Sequence, residues 1–98
     1  MQIIIQTFLN PGEPAAERVR ARPYPGQFDR EFRVWCSTSR REEAHPGSLF
    51  LVEATWVTQD SREAYLRVGL DETWKPVTVN QAKMHVAKLG GKKLRAPK

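Results

Sequence analysis

The chain has 98 residues, of which 40% are hydrophobic and 28% charged, and its mean hydropathy is −0.58. This length fits one domain with a modest core, and three Trp, two Tyr and four Phe argue against a disordered chain. Every apolar run is shorter than the ~20 residues of a membrane helix, the single Cys36 excludes an internal disulfide, and no group of Cys and His has zinc-site spacing.

Charge is distributed unevenly along the chain. Residues 1–72 hold nine Arg, no Lys and all 11 acidic residues, whereas residues 73–98 hold six Lys, one Arg and no acid. A segment of one sign cannot neutralise itself through ion pairs, so it favours an acidic partner such as nucleic acid, an anionic membrane surface or an acidic protein face. The alternative is a solvated helix and tail that only keep the protein soluble.

The N-terminal part begins with a strand and continues into a proline-rich connection. Residues Gln2–Leu9 are rich in Ile and Phe and end at Asn10-Pro11-Gly12, a pattern that predicts a β-strand followed by a turn. Four prolines and two glycines in residues 10–28 predict an ordered loop or an extended edge. Within it, residues 15–20 fit either one helical turn or a short strand.

Two further strands are predicted in the middle of the chain. Residues 31–38 alternate in polarity, and Phe32, Val34 and Cys36 are expected to face the core while the odd-numbered residues face away. Residues 49–58 form a near-continuous apolar run rich in β-branched and aromatic residues. This composition predicts a central strand with both faces covered.

A short turn, residues 59–62, makes the next strand an antiparallel hairpin partner of this central strand. Residues 64–70 alternate again. The even-numbered positions, Leu70 included, are predicted to face inward, and Tyr65 and Arg67 to face outward.

The C-terminal quarter changes to a helical period. Four apolar residues have the spacing of one face of a helix: Val79, Ala82, Val86 and Leu89. Thr78 or Asn80 is expected to cap its start, and the Gly90-Gly91 pair to end it. The elements together predict an α+β fold: a small antiparallel β-barrel or curved sheet of four to five strands with one C-terminal helix. Residues 1–90 are expected to form a single globular domain and residues 91–98 a basic C-terminal tail.

Motifs of catalysis and cofactor binding are missing from the sequence. His45 follows Glu42 and Glu43, but the adjacent Pro-Gly turn favours a solvated loop over a metal or acid–base site. Cys36 is interpreted as a small buried hydrophobic residue. Neighbouring carboxylates, such as Asp71-Glu72, rarely face one another across a substrate. We therefore expect a protein that is not an enzyme, with no metal and no cofactor.

Basic and aromatic residues share one predicted face of the sheet. Arg33 and Trp35 project away from the core on one strand, and Tyr65 and Arg67 do so on another. Exposed rings stack the bases of single strands, and guanidinium groups bind phosphates or stack as well. The Lys-rich C-terminus would add salt-dependent attraction. The predicted interface for single-stranded DNA or RNA is Arg33, Trp35, Tyr65, Arg67, Lys83, Lys88, Lys92, Lys93 and Arg95.

Two other interpretations of these residues stay open. Trp35 and Tyr65 can instead pack under the helix or the proline-rich segment, with the Arg contacts as ordinary cross-strand pairs. Trp56 and Trp74 are assigned to the core in either case. The apolar strand at residues 49–57 favours a self-associating interaction module if one of its faces is uncovered in the monomer.

The expected partners are therefore single-stranded nucleic acid or a second copy of the chain, and not a membrane. Because residues 1–6 lack the basic region and the length of a signal peptide, we expect a cytoplasmic protein.

Overall fold

The computed structural model describes residues 1–9, 19–36, 45–59 and 62–97. Within these ranges, the elements in chain order are β1 (Gln2–Leu9), β2 (Val19–Pro23), β3 (Val34–Trp35), β4 (Leu49–Gln59), β5 (Arg62–Val68), β6 (Lys75–Pro76) and the helix α1 (Val79–Ala87). No helix among these residues is long and apolar enough to cross a membrane.

Five strands form a nearly closed, barrel-like sheet in the order β2-β1-β4-β5-β3. β1 pairs antiparallel with β2 and with β4, β4 and β5 form the predicted antiparallel hairpin, and β6 pairs with the start of β4. The predicted α+β class and small barrel or curved sheet are confirmed. The sheet is mixed rather than wholly antiparallel, because β3 runs parallel to β5.

The interior of the barrel is filled by alternate residues of three strands. β1, β4 and β5 each contribute two inward side chains, none more than 2% exposed: Ile3 and Ile5, Val52 and Ala54, and Leu66 and Val68. The spacing of two within each pair is the pleat of a strand that buries one face.

Aromatic rings complete the core near the open side of the barrel. Phe28, Phe32 and Trp56 meet edge to face, with centroids 4.9 to 5.7 Å apart, a geometry that places the positive ring edge against a negative ring face. Trp74 is buried and packs against Phe50. Both Trp56 and Trp74 therefore belong to the core, as predicted.

The helix α1 covers the outer face of β1 and β4. Ile4 points away from the interior and packs with Leu49 and with Ala82 of α1. Thr78 is the N-cap, as predicted: its hydroxyl oxygen accepts from the backbone N–H of Gln81 at 3.1 Å, and its own N–H donates to the Gln81 side chain at 2.8 Å. This reciprocal capping satisfies two backbone donors at the helix start.

A buried glutamine fixes the chain after β2 against β1. The Gln27 side chain is fully buried; it accepts from the N–H of Ile4 at 2.7 Å and donates to the carbonyl oxygens of Ile4 at 2.8 Å and Tyr24 at 2.9 Å. The carbonyl oxygen of Ile4 also accepts from the backbone N–H of Tyr24 at 2.9 Å, so Gln27 supplies the partner of the Ile4 N–H and the buried backbone of Ile4 stays paired.

The C-terminal segment packs against the chain at residues 27–29, just after β2. The N–H of Leu94 donates to the Gln27 carbonyl at 2.7 Å, the N–H of Asp29 donates to the Leu94 carbonyl at 3.0 Å, and Leu94 forms a parallel bridge with Phe28. Leu94 and Ala96 also pack against the core. The predicted division at residue 90 between domain and tail stays a prediction.

Two predicted strands differ from the structure in length. Residues 31–38 alternate as predicted, since Phe32 and Cys36 are buried and Trp35 is exposed, but only the two residues of β3 pair in the sheet, and positions 37–38 lie outside the described residues. The inward assignment of Leu70 is wrong: β5 ends at Val68, and Leu70 lies in the turn that follows, 62% exposed.

The strand predicted at residues 49–58 corresponds to β4. Its inward face is buried at Val52 and Ala54 and half-buried at Phe50 and Trp56. Leu49 and Leu51 on its outer face pack in the cluster beneath α1. Glu53 and Thr55, farther along the outer face, are exposed. The prediction that both faces are covered therefore holds only for the first part of this strand.

Candidate nucleic-acid interface

A groove of about 1170 Å³ lies at the seam between β2 and β3, the two strands at the ends of the sheet order. The sequence explains why this side stays open. Pro23 and Pro25 have no backbone N–H to donate, so the edge of β2 cannot extend a hydrogen-bonded ladder toward β3. β3 itself is only two residues long.

One wall of the groove holds the predicted pair of Trp35 and Arg67. They face each other in the parallel register of β3 and β5, and the Arg67 guanidinium lies 5.3 Å from the centre of the Trp35 ring. Trp35 is nevertheless 47% exposed. The cation therefore covers part of the indole and leaves surface on which another flat group can stack.

Arg33 and Tyr65 form a second pair on the same wall. The Arg33 guanidinium lies 5.8 Å from the Tyr65 ring centre, and the carbonyl oxygen of Arg33 accepts from the N–H of Leu66 at 2.9 Å. Tyr65 is half-buried and Arg33 is exposed. The structure thus brings together the four residues predicted for one face; Arg33, Trp35 and Tyr65 line the groove, and Arg67 flanks it.

The opposite wall was missed by the sequence interpretation. Arg20, Arg22 and Tyr24 line the groove along β2 and just beyond it. The Arg22 guanidinium lies 4.8 Å from the centre of the Phe8 ring and donates to the Gln6 side chain at 3.4 Å. The signal was present, because these three residues recur at every second position, the spacing of one face of a strand.

A further Arg lies on an aromatic ring within the groove. The Arg30 guanidinium is 4.9 Å from the Phe32 ring centre and 3.0 Å from a carboxylate oxygen of Glu63. Both ion-pair side chains are more than half exposed, so the pair contributes little to stability. Among the described lining residues the charged ones are four Arg and two Glu: Arg20, Arg22, Arg30, Arg33, Glu31 and Glu63. The groove is therefore basic overall, with guanidinium groups held on rings.

The predicted C-terminal cations lie in two places. Lys83 is exposed on α1, and Lys88 is its C-cap residue. Lys92, Lys93 and Arg95 are exposed on the segment that bridges to Phe28. The ammonium of Lys93 donates to the carbonyl oxygen of Gly26 at 2.8 Å, and Gly26 lines the groove. This contact ties the basic segment to one end of the groove.

Other chemistry in the described part of the chain is sparse. His45 is exposed, and its carbonyl oxygen accepts from the Thr7 hydroxyl at 2.8 Å, while Glu42 and Glu43 lie outside the described residues. Cys36 is buried and forms no disulfide. No group of three or more His, Cys, Asp or Glu with the arrangement of a metal site occurs among the residues that the structure describes.

Comparisons with protein-family models, with curated proteins and with solved structures give no match to this chain.

Proposed function

We propose that this protein is a non-enzymatic module that binds single-stranded DNA or RNA in the groove between β2 and β3. The observation that carries the proposal is the lining of that groove. Arginines lie on aromatic rings along both walls, at 4.8 Å for Arg22 and Phe8 and at 5.8 Å for Arg33 and Tyr65, and Trp35 remains 47% exposed.

The chemistry of this lining suits an unpaired strand. A base can stack on the free surface of Trp35, contributing about 1–3 kcal/mol per stacked base. The excess of Arg over Glu attracts phosphates, and planar guanidinium groups bind them through two donors at once. Bases in a duplex are already stacked on each other, so the rings favour single strands.

The first test is fluorescence anisotropy with a labelled single-stranded DNA, a single-stranded RNA and a duplex, each at low and moderate salt. We expect tighter binding of the single strands, and we expect Trp35→Ala to weaken it by about 5- to 150-fold, the equivalent of one stacked base. Leu70→Ala is the matched control, since it also truncates an exposed apolar side chain but lies outside the groove.

A charge-reversal pair tests the electrostatic part. Arg33→Glu should abolish measurable binding, whereas Lys75→Glu makes the same change of charge on exposed β6 and should have a small effect. Equal binding of all three probes that vanishes with salt would mean that only nonspecific attraction by the basic C-terminus exists. No binding of any probe would overturn the proposal.

A self-associating module is the alternative, and the packing of β4 gives it less support. One edge of this strand pairs with β1, and its other partners are β5 and β6. Leu51, on its outer face, packs beneath α1. Sedimentation of the chain with and without Val57→Asp addresses this alternative: a dimer split by the substitution, together with no nucleic-acid binding, would favour it.

A further inference from the structure

We infer that the groove and the C-terminal segment at residues 92–95 form one continuous track. A single strand longer than the groove would leave it at Gly26 and continue along this segment. This inference rests on the proposed function, and it adds the path and the length of the nucleic acid that the protein binds.

The junction between the two surfaces is a direct contact. Gly26 lines the groove, and its carbonyl oxygen accepts from the Lys93 ammonium at 2.8 Å. An ammonium has three donors, so Lys93 keeps donors for a phosphate while it is held in place by the neutral carbonyl. The contact positions a full positive charge at the end of the groove.

The neighbouring cations are held by the backbone. Leu94 is fixed by hydrogen bonds on both sides, from its N–H to Gln27 at 2.7 Å and from Asp29 to its carbonyl at 3.0 Å. It also packs against the core. Lys92 and Arg95 are therefore presented from an anchored segment with their side chains exposed. An anchored cation loses less conformational freedom on binding than one in a free tail.

The helix α1 also lies close to Gly26, at the end of the groove. A Cβ atom built on Gly26 would lie 2.9 Å from Val86 of α1, so the helix is in contact with the end of the groove. The sequence from residue 73 onward contains no acidic residue. The exposed Asp29 is bonded to Leu94 through its backbone N–H, but Lys92, Lys93 and Arg95 outnumber it, so the net positive charge beyond Gly26 favours continuation along residues 92–95.

The test compares strand lengths. Oligothymidylates of about 4 and about 12 nucleotides span the site sizes of known single-strand-binding folds. Each phosphate neutralised by the protein steepens the dependence of log K on log salt by about 0.7 for single strands. We expect Lys92→Gln and Arg95→Gln each to reduce the slope for the longer probe by about that amount and to leave the slope for the shorter probe unchanged.

Lys75→Gln is the matched control, because it removes one exposed cation from β6 and should change neither slope. Equal slope changes for both probe lengths would mean diffuse attraction and would overturn the track. No change for either probe, with binding intact, would also overturn it. Failure of the proposed function has a different signature: neither probe binds the unaltered protein, or Trp35→Ala changes nothing.

Discussion

One side of this barrel is closed by long, paired strands, and the other side is left open by short strands. On the closed side, β1 and β4 have eight and 11 residues, pair along their edges and carry α1 over Ile4. On the open side, β2 and β3 have five and two residues and leave a groove lined with Arg and aromatic rings. The two sides differ mainly in the length of their strands and in the prolines at the edge of β2, and less in hydrophobicity.

This difference separates stability from function in the molecule. Apolar burial in the barrel interior and beneath α1 stabilises the fold in proportion to the area removed from water. The open side keeps aromatic surface and charge in contact with solvent, where each contact contributes little to stability. Substitutions should therefore divide into those that unfold the chain and those that change only binding.

The largest expected effect tests the interior of the barrel. Leu66 is fully buried between β3 and β4, whereas Leu70, two residues past the end of β5, is 62% exposed. Leu66→Ala should lower the free energy of unfolding by about 2–5 kcal/mol through lost burial and a cavity. Leu70→Ala should change it by less than about 0.5 kcal/mol. Urea denaturation of both variants measures this, and equal losses would contradict the assignment of the core.

These two leucines also show how far a sequence pattern reaches. Alternation assigns both to the core, and it is right for Leu66 because a neighbouring strand lies on each side of it. It is wrong for Leu70 because alternation contains no information on where a strand stops pairing. Similarly, β6 and the parallel register of β3 depend on contacts distant in sequence. The start of the helix was predictable, since its cap is local, but Val79 of the predicted apolar face is 53% exposed and the helix ends at Ala87, before Gly90-Gly91.

One wall of the candidate site could be predicted from the sequence and the other could not, because alternation is local and the position of a strand is not. The outward direction of Arg33 and Trp35 follows from a period of two along one strand, and the structure has them so. That β2 forms the opposite wall could not be inferred, because the proline-rich segment leaves open where it lies. The alternation of Arg20, Arg22 and Tyr24 was a usable signal only once a strand at residues 19–23 was known.

The second comparison is between Gly26, where the end of the groove meets α1, and Gly47, which is surrounded by open space. Gly26 has a φ of +100°, and a Cβ there would lie 2.9 Å from Val86. Gly47 has a similar φ of +89° with open space around it. Both Gly→Ala variants carry backbone strain of about 1–2 kcal/mol, but Gly26→Ala should lose about 1–3 kcal/mol more through overpacking against α1. Thermal unfolding of the two variants measures the difference.

A second substitution separates overlap from strain at this junction. Val86→Ala in the Gly26→Ala background removes the overlapping methyl groups and should recover part of the additional loss. Equal stability of the two glycine variants, or no recovery in the double variant, would show that α1 and the end of the groove are not in contact as described.

A small effect on stability is expected at Trp35, whose ring is proposed to stack a base. Trp35 and Arg67 form an exposed cation–π pair with 5.3 Å between the guanidinium and the ring centre. A double-mutant cycle of Trp35→Ala and Arg67→Ala should give a coupling free energy of about 0.5–1 kcal/mol in unfolding. A coupling above about 2 kcal/mol would mean that the pair serves the fold, as a desolvated contact does. A small coupling, combined with a large loss of nucleic-acid affinity in Trp35→Ala, would show that the ring contributes more to binding than to folding.

Arg67→Ala separates the two roles further. If the ring stacks bases, removing the guanidinium exposes more of the indole, so nucleic-acid binding should weaken much less than in Trp35→Ala.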